Sequence, residues 1–167
     1  LRSPAPSDRE RIWAYRAEFL RAGDSLDGTA ALDRAESFAE WFSAVEDNRR
    51  AESVRSGMVP ATSFLAEDAA GSLVGMIQLR HCLNDYLLHF GGHIGYSVRP
   101  SQRRKGYATE MLRLVLEEAR RLGLKQVLVT CDAANEASRR TIRTNGGVLD
   151  GAIAEGGRLT QRYWIAL

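Results

Sequence analysis

Three cations and a glycine stand together at Arg103-Arg104-Lys105-Gly106, directly ahead of a run with helical periodicity. Met111, Leu112, Val115, Leu116 and Ala119 fall on one stripe of that run, as the core face of an amphipathic helix does. On the other side, His93-Ile94-Gly95-Tyr96-Ser97-Val98 is β-prone and is cut off by Arg99-Pro100, since a residue before proline is pushed out of helical geometry. The spacing predicts a strand, a tight basic loop and a helix N-terminus between His93 and Leu122. The first N–H groups of a helix lack intrahelical partners and carry partial positive charge, so an anion placed there gains hydrogen bonds and dipole stabilisation together. Three cations at that end oppose the dipole unless an anion is present, and the pattern points to phosphate binding. Neither the three-glycine dinucleotide fingerprint nor the Gly-Lys-Ser/Thr triphosphate loop occurs.

The hexapeptide Arg103-Arg104-Lys105-Gly106-Tyr107-Ala108 resembles the Arg/Gln-x-x-Gly-x-Gly/Ala acyl-CoA signature of the GNAT N-acetyltransferase superfamily. Its setting is similar too. Tyr96-Ser97-Val98-Arg99-Pro100 precedes it, an amphipathic helix follows, and then come a strand and a helix start at Asn135-x-x-Ser138. The likeness covers roughly residues 73 to 167. It implies acetyl-CoA as cofactor and transfer of its acetyl group to a primary amine of a small molecule or peptide, by direct attack in a ternary complex. It also implies two central strands that splay near Val98. By the resemblance, Tyr96, Ser97 and Val98 bind the pantetheine arm through main chain, and the loop from Arg103 through Lys105, Gly106, Tyr107 and Ala108 to Thr109 holds the pyrophosphate. Asn135 and Ser138 match positions near the cofactor sulfur. Many relatives carry a tyrosine seven residues after that asparagine as acid for the thiolate, where this chain has Ile142. Ser138, Tyr107 or an ordered water are the replacements, and a thiolate with a pKa near 8.5 leaves tolerably without one.

An ammonium nucleophile must also lose a proton, most readily to a group that titrates near neutrality. His93, with an ordinary pKa of about 6.5, follows Gly91-Gly92 at the start of the strand that leads to the basic loop. It is the expected base, with Ser138 the second expected catalytic residue. Asp85 is an alternative acting through water, while His81 and His89 are less well placed. Asn84, Asp85, Tyr86 and His93 form the expected acceptor-contacting set, on or beside a loop from Cys82 to Gly92 that mixes apolar and hydrogen-bonding groups.

These groups need a scaffold. Helical spacing appears from Arg9 to Arg21, with Ile12, Tyr15 and Phe19 inward and Ser7 or Asp8 as cap, and again from Ser37 to Asn48 around Trp41, Phe42 and Val45. Trp13, Trp41 and Phe42 read as core packing. Strand patterns cover Ser63–Glu67, Leu73–Arg80, Gln126–Thr130, Val148–Ile153 and Thr160–Ala166, and further helices cover Tyr107–Leu122 and Glu136–Thr144. The last two strands form a hairpin across Glu155-Gly156-Gly157-Arg158, and Leu1-Arg2 is read as the tail of an earlier strand. The sum is a mixed α/β (α+β) fold: six or seven mostly antiparallel strands flanked by four helices, in one domain over residues 1–167.

Composition narrows the function. Of 167 residues, 44% are hydrophobic and 26% charged, which suits a globular chain and excludes wholesale disorder. A net charge of +2, without aromatic interleaving of the basic residues, argues against nucleic acid as a partner. Cys82 and Cys131 have neither pairing nor metal-ligand spacing, so free thiols and no metal are expected. Leu1–Glu10 is polar, and no apolar run approaches the ~20 residues of a membrane helix, so a cytoplasmic protein is expected. An exposed edge strand near the C-terminus would permit a homodimer. A reading from another class is an acyl-CoA sensor or structural subunit that kept the groove and lost turnover, to which Ile142 points.

Overall fold

A computed structural model describes residues 1–167, apart from the side chain of Glu155. In chain order the elements are α1 (Arg9–Ala22), α2 (Phe38–Asp47), β1 (Ala61–Glu67), β2 (Leu73–Arg80), β3 (Ile94–Val98), α3 (Tyr107–Arg121), β4 (Gln126–Asp132), α4 (Glu136–Thr144), β5 (Val148–Glu155) and β6 (Arg158–Ala166). The strands make one sheet in the order β1-β2-β3-β4-β6-β5, antiparallel except where β3 runs parallel to β4. Four helices and six mostly antiparallel strands are the architecture that the sequence pattern predicts.

Helices cover both faces of the sheet. On one face the α3 stripe packs with Ile142 of α4 onto Ile77, Leu79, Val127 and Val129; on the other, Ile12, Tyr15 and Phe19 of α1 and Trp41 of α2 pack onto Leu65 and Met76. Seven of the eight β2 residues are buried, which explains why that strand reads Leu-Val-Gly-Met-Ile-Gln-Leu-Arg with no polar alternation. Each fully buried aliphatic side chain of this kind is worth about 1.5–3 kcal/mol.

Leu1-Arg2, read as the tail of an earlier strand, makes an antiparallel bridge to β1 in which Arg2 and Leu65 exchange main-chain hydrogen bonds. Two local expectations need correction. Asp8 sits at the α1 N-cap without a side-chain cap bond. Its buried carboxylate instead accepts from Arg2, Arg11 and the Ala5 N–H, because two guanidiniums compensate its charge better than one helix amide does. The Cys82–Gly92 stretch is not all loop: the Asn84 Oδ1 accepts from the Leu87 N–H at 2.9 Å and opens a helical segment that ends in a π-helical turn, Leu87–Gly91. The buried Leu87 side chain anchors that turn.

One feature of the sheet decides what the fold can hold. Strands β3 and β4 pair only at Ile94 and Val129, so the β4-facing edge of residues 95–98 has no strand partner. β4 is held along its whole length by β6, from Gln126–Ala166 to Asp132–Thr160, while β3 is drawn toward α1. The Tyr15 hydroxyl donates to the Ser97 carbonyl at 2.9 Å, and Glu18 accepts from the Ser101 N–H at 2.7 Å. The segment between α1 and α2 then lies against β3. A Cβ on Gly28, at φ +70°, would stand 2.0 Å from the Gly95 carbonyl oxygen, so only glycine permits this approach.

Candidate active site

Beyond Val98 the chain turns through Pro100 and reaches α3 by way of two left-handed residues, Arg104 at φ 64° and Gly106 at φ 84°. A left-handed arginine costs on the order of 1 kcal/mol, and such strain is retained where a particular main-chain shape is needed. Here the shape directs amides outward. Among the described residues, no protein acceptor takes the N–H of Arg104, Lys105, Gly106, Tyr107, Ala108 or Thr109, and the first amide to find one is that of Glu110, which donates to Gly106 at 3.2 Å. The three cations divide their work. Arg103 donates to Asp24 at 2.8 Å and to the Val98 carbonyl at 3.2 Å, and Lys105 donates to the Gln102 side chain at 2.7 Å. Arg104 is exposed, and among the described residues no carboxylate pairs with it.

From this loop a cleft of about 870 Å³ runs along the open seam between β3 and β4. Tyr96, Ser97, Val98, Asn135 and Ser138 all line it, together with every residue of the 103–109 loop except Lys105. The Asn135 Oδ1 accepts from the Ser138 N–H at 3.0 Å, capping α4, and this places the Ser138 hydroxyl on the cleft wall. Tyr96 reaches it from β3: the two hydroxyl oxygens are 2.8 Å apart. Burial pushes the Tyr96 phenol up to about 12, so it stays protonated at neutral pH. Ile142 is fully buried in the core under α3 and α4. Tyr96 brings a phenol to the cleft from β3. The sequence pattern gives Tyr96 a main-chain role only; its side chain meets Ser138 across 42 residues of chain, a contact with no local signal.

The acceptor-side expectations fare unevenly. Tyr86 lines the cleft, but Asn84 and Asp85 do not. Asn84 is consumed by local structure, donating to the Gly57 carbonyl as well as capping the segment that follows it, and the Asp85 carbonyl binds the His89 ring at 2.6 Å. His93 is corrected. It is 6% exposed, does not line the cleft, and its Nδ1 accepts from the Leu128 N–H at 2.9 Å. The ring proton therefore sits on Nε2, leaving no free nitrogen to take another. Burial, and then the nearby Arg80 guanidinium, push the imidazole down to about 4. Arg80, to which the sequence pattern gives no role, and Phe19, expected only in the core, also line the cleft, and the Cys131 thiol there is pushed up by burial.

A sequence profile of the acetyltransferase (GNAT) domain matches residues 1–148. The chain belongs to the GNAT acetyltransferase family. The fold agrees with solved members. RimL, a ribosomal alpha-N-protein acetyltransferase solved in complex with coenzyme A, superposes with a TM-score of 0.73 at 20% identity over 100% of this chain and 93% of that one. A variant of the spermidine N-acetyltransferase SpeG from Vibrio cholerae gives 0.69 at 17% identity over 99% and 93%. An N-acetyltransferase from Staphylococcus aureus Mu50 gives 0.69 at 19% identity over 99% and 96%. No curated protein matches in sequence. At these identities the GNAT neighbours share the fold alone. Among the described residues no helix of this GNAT chain is long and apolar enough to cross a membrane.

Proposed function

We propose that this GNAT chain is an N-acetyltransferase that takes acetyl-CoA as donor and a primary amine of a small molecule or peptide as acceptor, with residues 1–167 acting as one cytoplasmic catalytic domain. The observation that carries the reading is the arc of six main-chain N–H groups without protein acceptors, from Arg104 to Thr109, at the mouth of a seam that β3 and β4 leave unpaired. These amides belong to exposed or half-buried residues, and a diphosphate can accept from them and complement the positive charge at the α3 N-terminus. The unpaired edge of residues 95–98 suits the amides of a pantetheine arm in the same way, as a strand would. Acetyl-CoA supplies a thioester-activated acetyl group to this cleft.

The chain's own residues then orient, and hold a proton. Orientation along the seam supplies much of the rate in such transfers. Ser138, fixed by the Asn135 cap, presents a hydroxyl proton where the family resemblance puts the leaving sulfur, and Tyr96 stands 2.8 Å behind it as a neutral phenol able to replace that proton. Fold likeness to RimL and SpeG, whose names specify protein and polyamine amines, supports an amine acceptor.

The test is calorimetry with acetyl-CoA followed by thiol release over a panel of amines. Micromolar affinity and amine-dependent release of coenzyme A thiol are expected. Absence of binding overturns the reading, and binding without turnover by any amine favours the sensor instead.

A further inference from the structure

Arg80 closes the C-terminal end of β2, next to the start of β3, whereas the amide arc follows the far end of β3. The four steps from Ile94 to Val98 separate these ends by roughly 13 Å. Residues opposite one another in a sheet share a face, so Tyr96, opposite Ile77, lies on the α3 side. Arg80, three positions after Ile77, lies on the α1 and α2 side. Arg80 and Tyr96 therefore approach the open seam from opposite faces, one at the acceptor side and one at the proton-donating side.

The Arg80 guanidinium is incompletely used by the protein. Its Nη1 donates to the Gly91 and Gly92 carbonyls at 2.8 and 3.0 Å, a structural clamp on the turn that precedes β3. Among the described residues, Nε and Nη2 have no acceptor, neither is among the fully buried unpaired atoms, and Arg80 lines the cavity. Among the described residues no carboxylate pairs with the group; Asp27 and Tyr86 act on it only through space. The other guanidiniums lining the cleft differ. Arg103 is paired with Asp24 and Arg158 with Asp132, and Arg104 belongs to the amide arc. A partly buried guanidinium whose Nε and Nη2 are both free presents one edge as a fork for two oxygens. The wall facing it is rigid: Gly28 presses on Gly95, and its segment is pinned by the Trp41 Nε1 donating to Thr29 at 2.7 Å and by Arg16 donating to Leu32 at 2.8 Å.

We infer that Arg80 is the acceptor-recognition residue of this cleft, and that the acceptor is a small primary amine that also carries an anionic oxygen pair, such as the carboxylate of an amino acid. The inference rests on the acetyltransferase reading of the same cleft and deepens it. The guanidinium holds the oxygens on the α1 and α2 side, which leaves the amine free to face the seam where Tyr96 and Ser138 stand. A polycation meets the same guanidinium as a repulsion, and the one cleft carboxylate it meets outside an ion pair is Asp27, since Asp24 and Asp132 are already paired.

Steady-state kinetics at saturating acetyl-CoA on matched acceptors test this. The arms are a series of free amino acids, their carboxamides, aminophosphonates of the same length, an acidic peptide, and spermidine. The free acid is expected to exceed its carboxamide by at least about tenfold in kcat/KM, carried mainly by KM. Arg80→Gln removes that preference and Arg80→Lys keeps part of it. Aminophosphonate turnover above that of the carboxylate assigns a tetrahedral oxyanion within the same class. A role limited to clamping Gly91 and Gly92 lowers stability in both variants and leaves the acid-to-amide ratio unmoved, which overturns the inference. It is also overturned if the wild-type protein prefers carboxamides, the acidic peptide or spermidine. Should Arg80→Gln not fold, the wild-type acid and amide pair decides alone. Should acetyl-CoA bind without turnover of any amine, the acetyltransferase reading fails by itself, and calorimetry of the same pair on coenzyme A-loaded protein still reads Arg80: heat from the acid and none from the amide sustains it, and equal heats overturn it.

Discussion

At the scale of single residues, the Tyr96 and Ser138 hydroxyls meet on the cleft wall, whereas the His93 imidazole lies buried outside it. If Tyr96 replaces the proton that Ser138 gives up, the two act as a unit. Tyr96→Phe and Ser138→Ala should each lower kcat by about 10- to 100-fold with little change in the acetyl-CoA KM, and the double variant should be scarcely worse than the poorer single. Full kcat in Tyr96→Phe would remove the relay. His93 makes its contribution to folding. With a folded value of about 4 against about 6.5 in the unfolded chain, the unfolded state binds the extra proton between those pH values. The stability from keeping His93 neutral is whole above about pH 6.5 and is lost as pH falls toward 4, amounting to about 3 kcal/mol. Urea midpoints at pH 7 and pH 4.5 should therefore fall less in His93→Gln than in the wild type, and the kcat profile should show no His93 inflection.

At the scale of elements, α1 is what opens the seam. Tyr15 holds Ser97, Glu18 holds the Ser101 amide, and the segment after α1 supplies Asp24 to Arg103, so the end of β3 and the start of the loop are anchored away from β4. The loop then needs Gly106. A Cβ there meets nothing within 4 Å, so the cost of Gly106→Ala is conformational, about 1 kcal/mol for a left-handed alanine. Its Tm should drop by a few degrees, and acetyl-CoA affinity should fall by about tenfold as the amides lose their aim. Unchanged affinity would mean that the main-chain arc is not the binding element. Much of this was legible in the sequence, because the strand, the Arg-Pro stop, Gly106 and the α3 stripe are encoded by neighbours within a few residues. What was not legible depends on long-range meetings. Tyr96 and Ser138 are 42 residues apart. The isolation of Arg80 depends on which acids pack near it. His93, beside two glycines that suggested access, is buried, with the Trp164 ring at a centroid distance of 6.2 Å.

At the scale of the whole molecule, the sheet consists of two well-paired parts that meet at one residue pair. β1, β2 and β3 zip along most of their length, as do β4, β6 and β5, while Ile94 and Val129 alone join the halves through strand pairing. The helical layers must therefore hold the halves together, and α3 and α4, which pack on each other across one face, are placed to do so. Any ligand that fills the seam substitutes for missing strand pairing, so its binding energy becomes interface energy between the halves. At a concentration a hundredfold above its Kd, a ligand specific for the folded state adds about 2.7 kcal/mol of stability. With acetyl-CoA the gain should not be spread evenly. Amide exchange should slow most at residues 95–98 and 104–109 and along the β3-facing edge of β4. Amides of β1 and of the β5–β6 hairpin should slow no more than global stabilisation requires. Hydrogen exchange with and without acetyl-CoA measures this directly. Uniform protection, or protection confined to the hairpin, would place the ligand outside the seam.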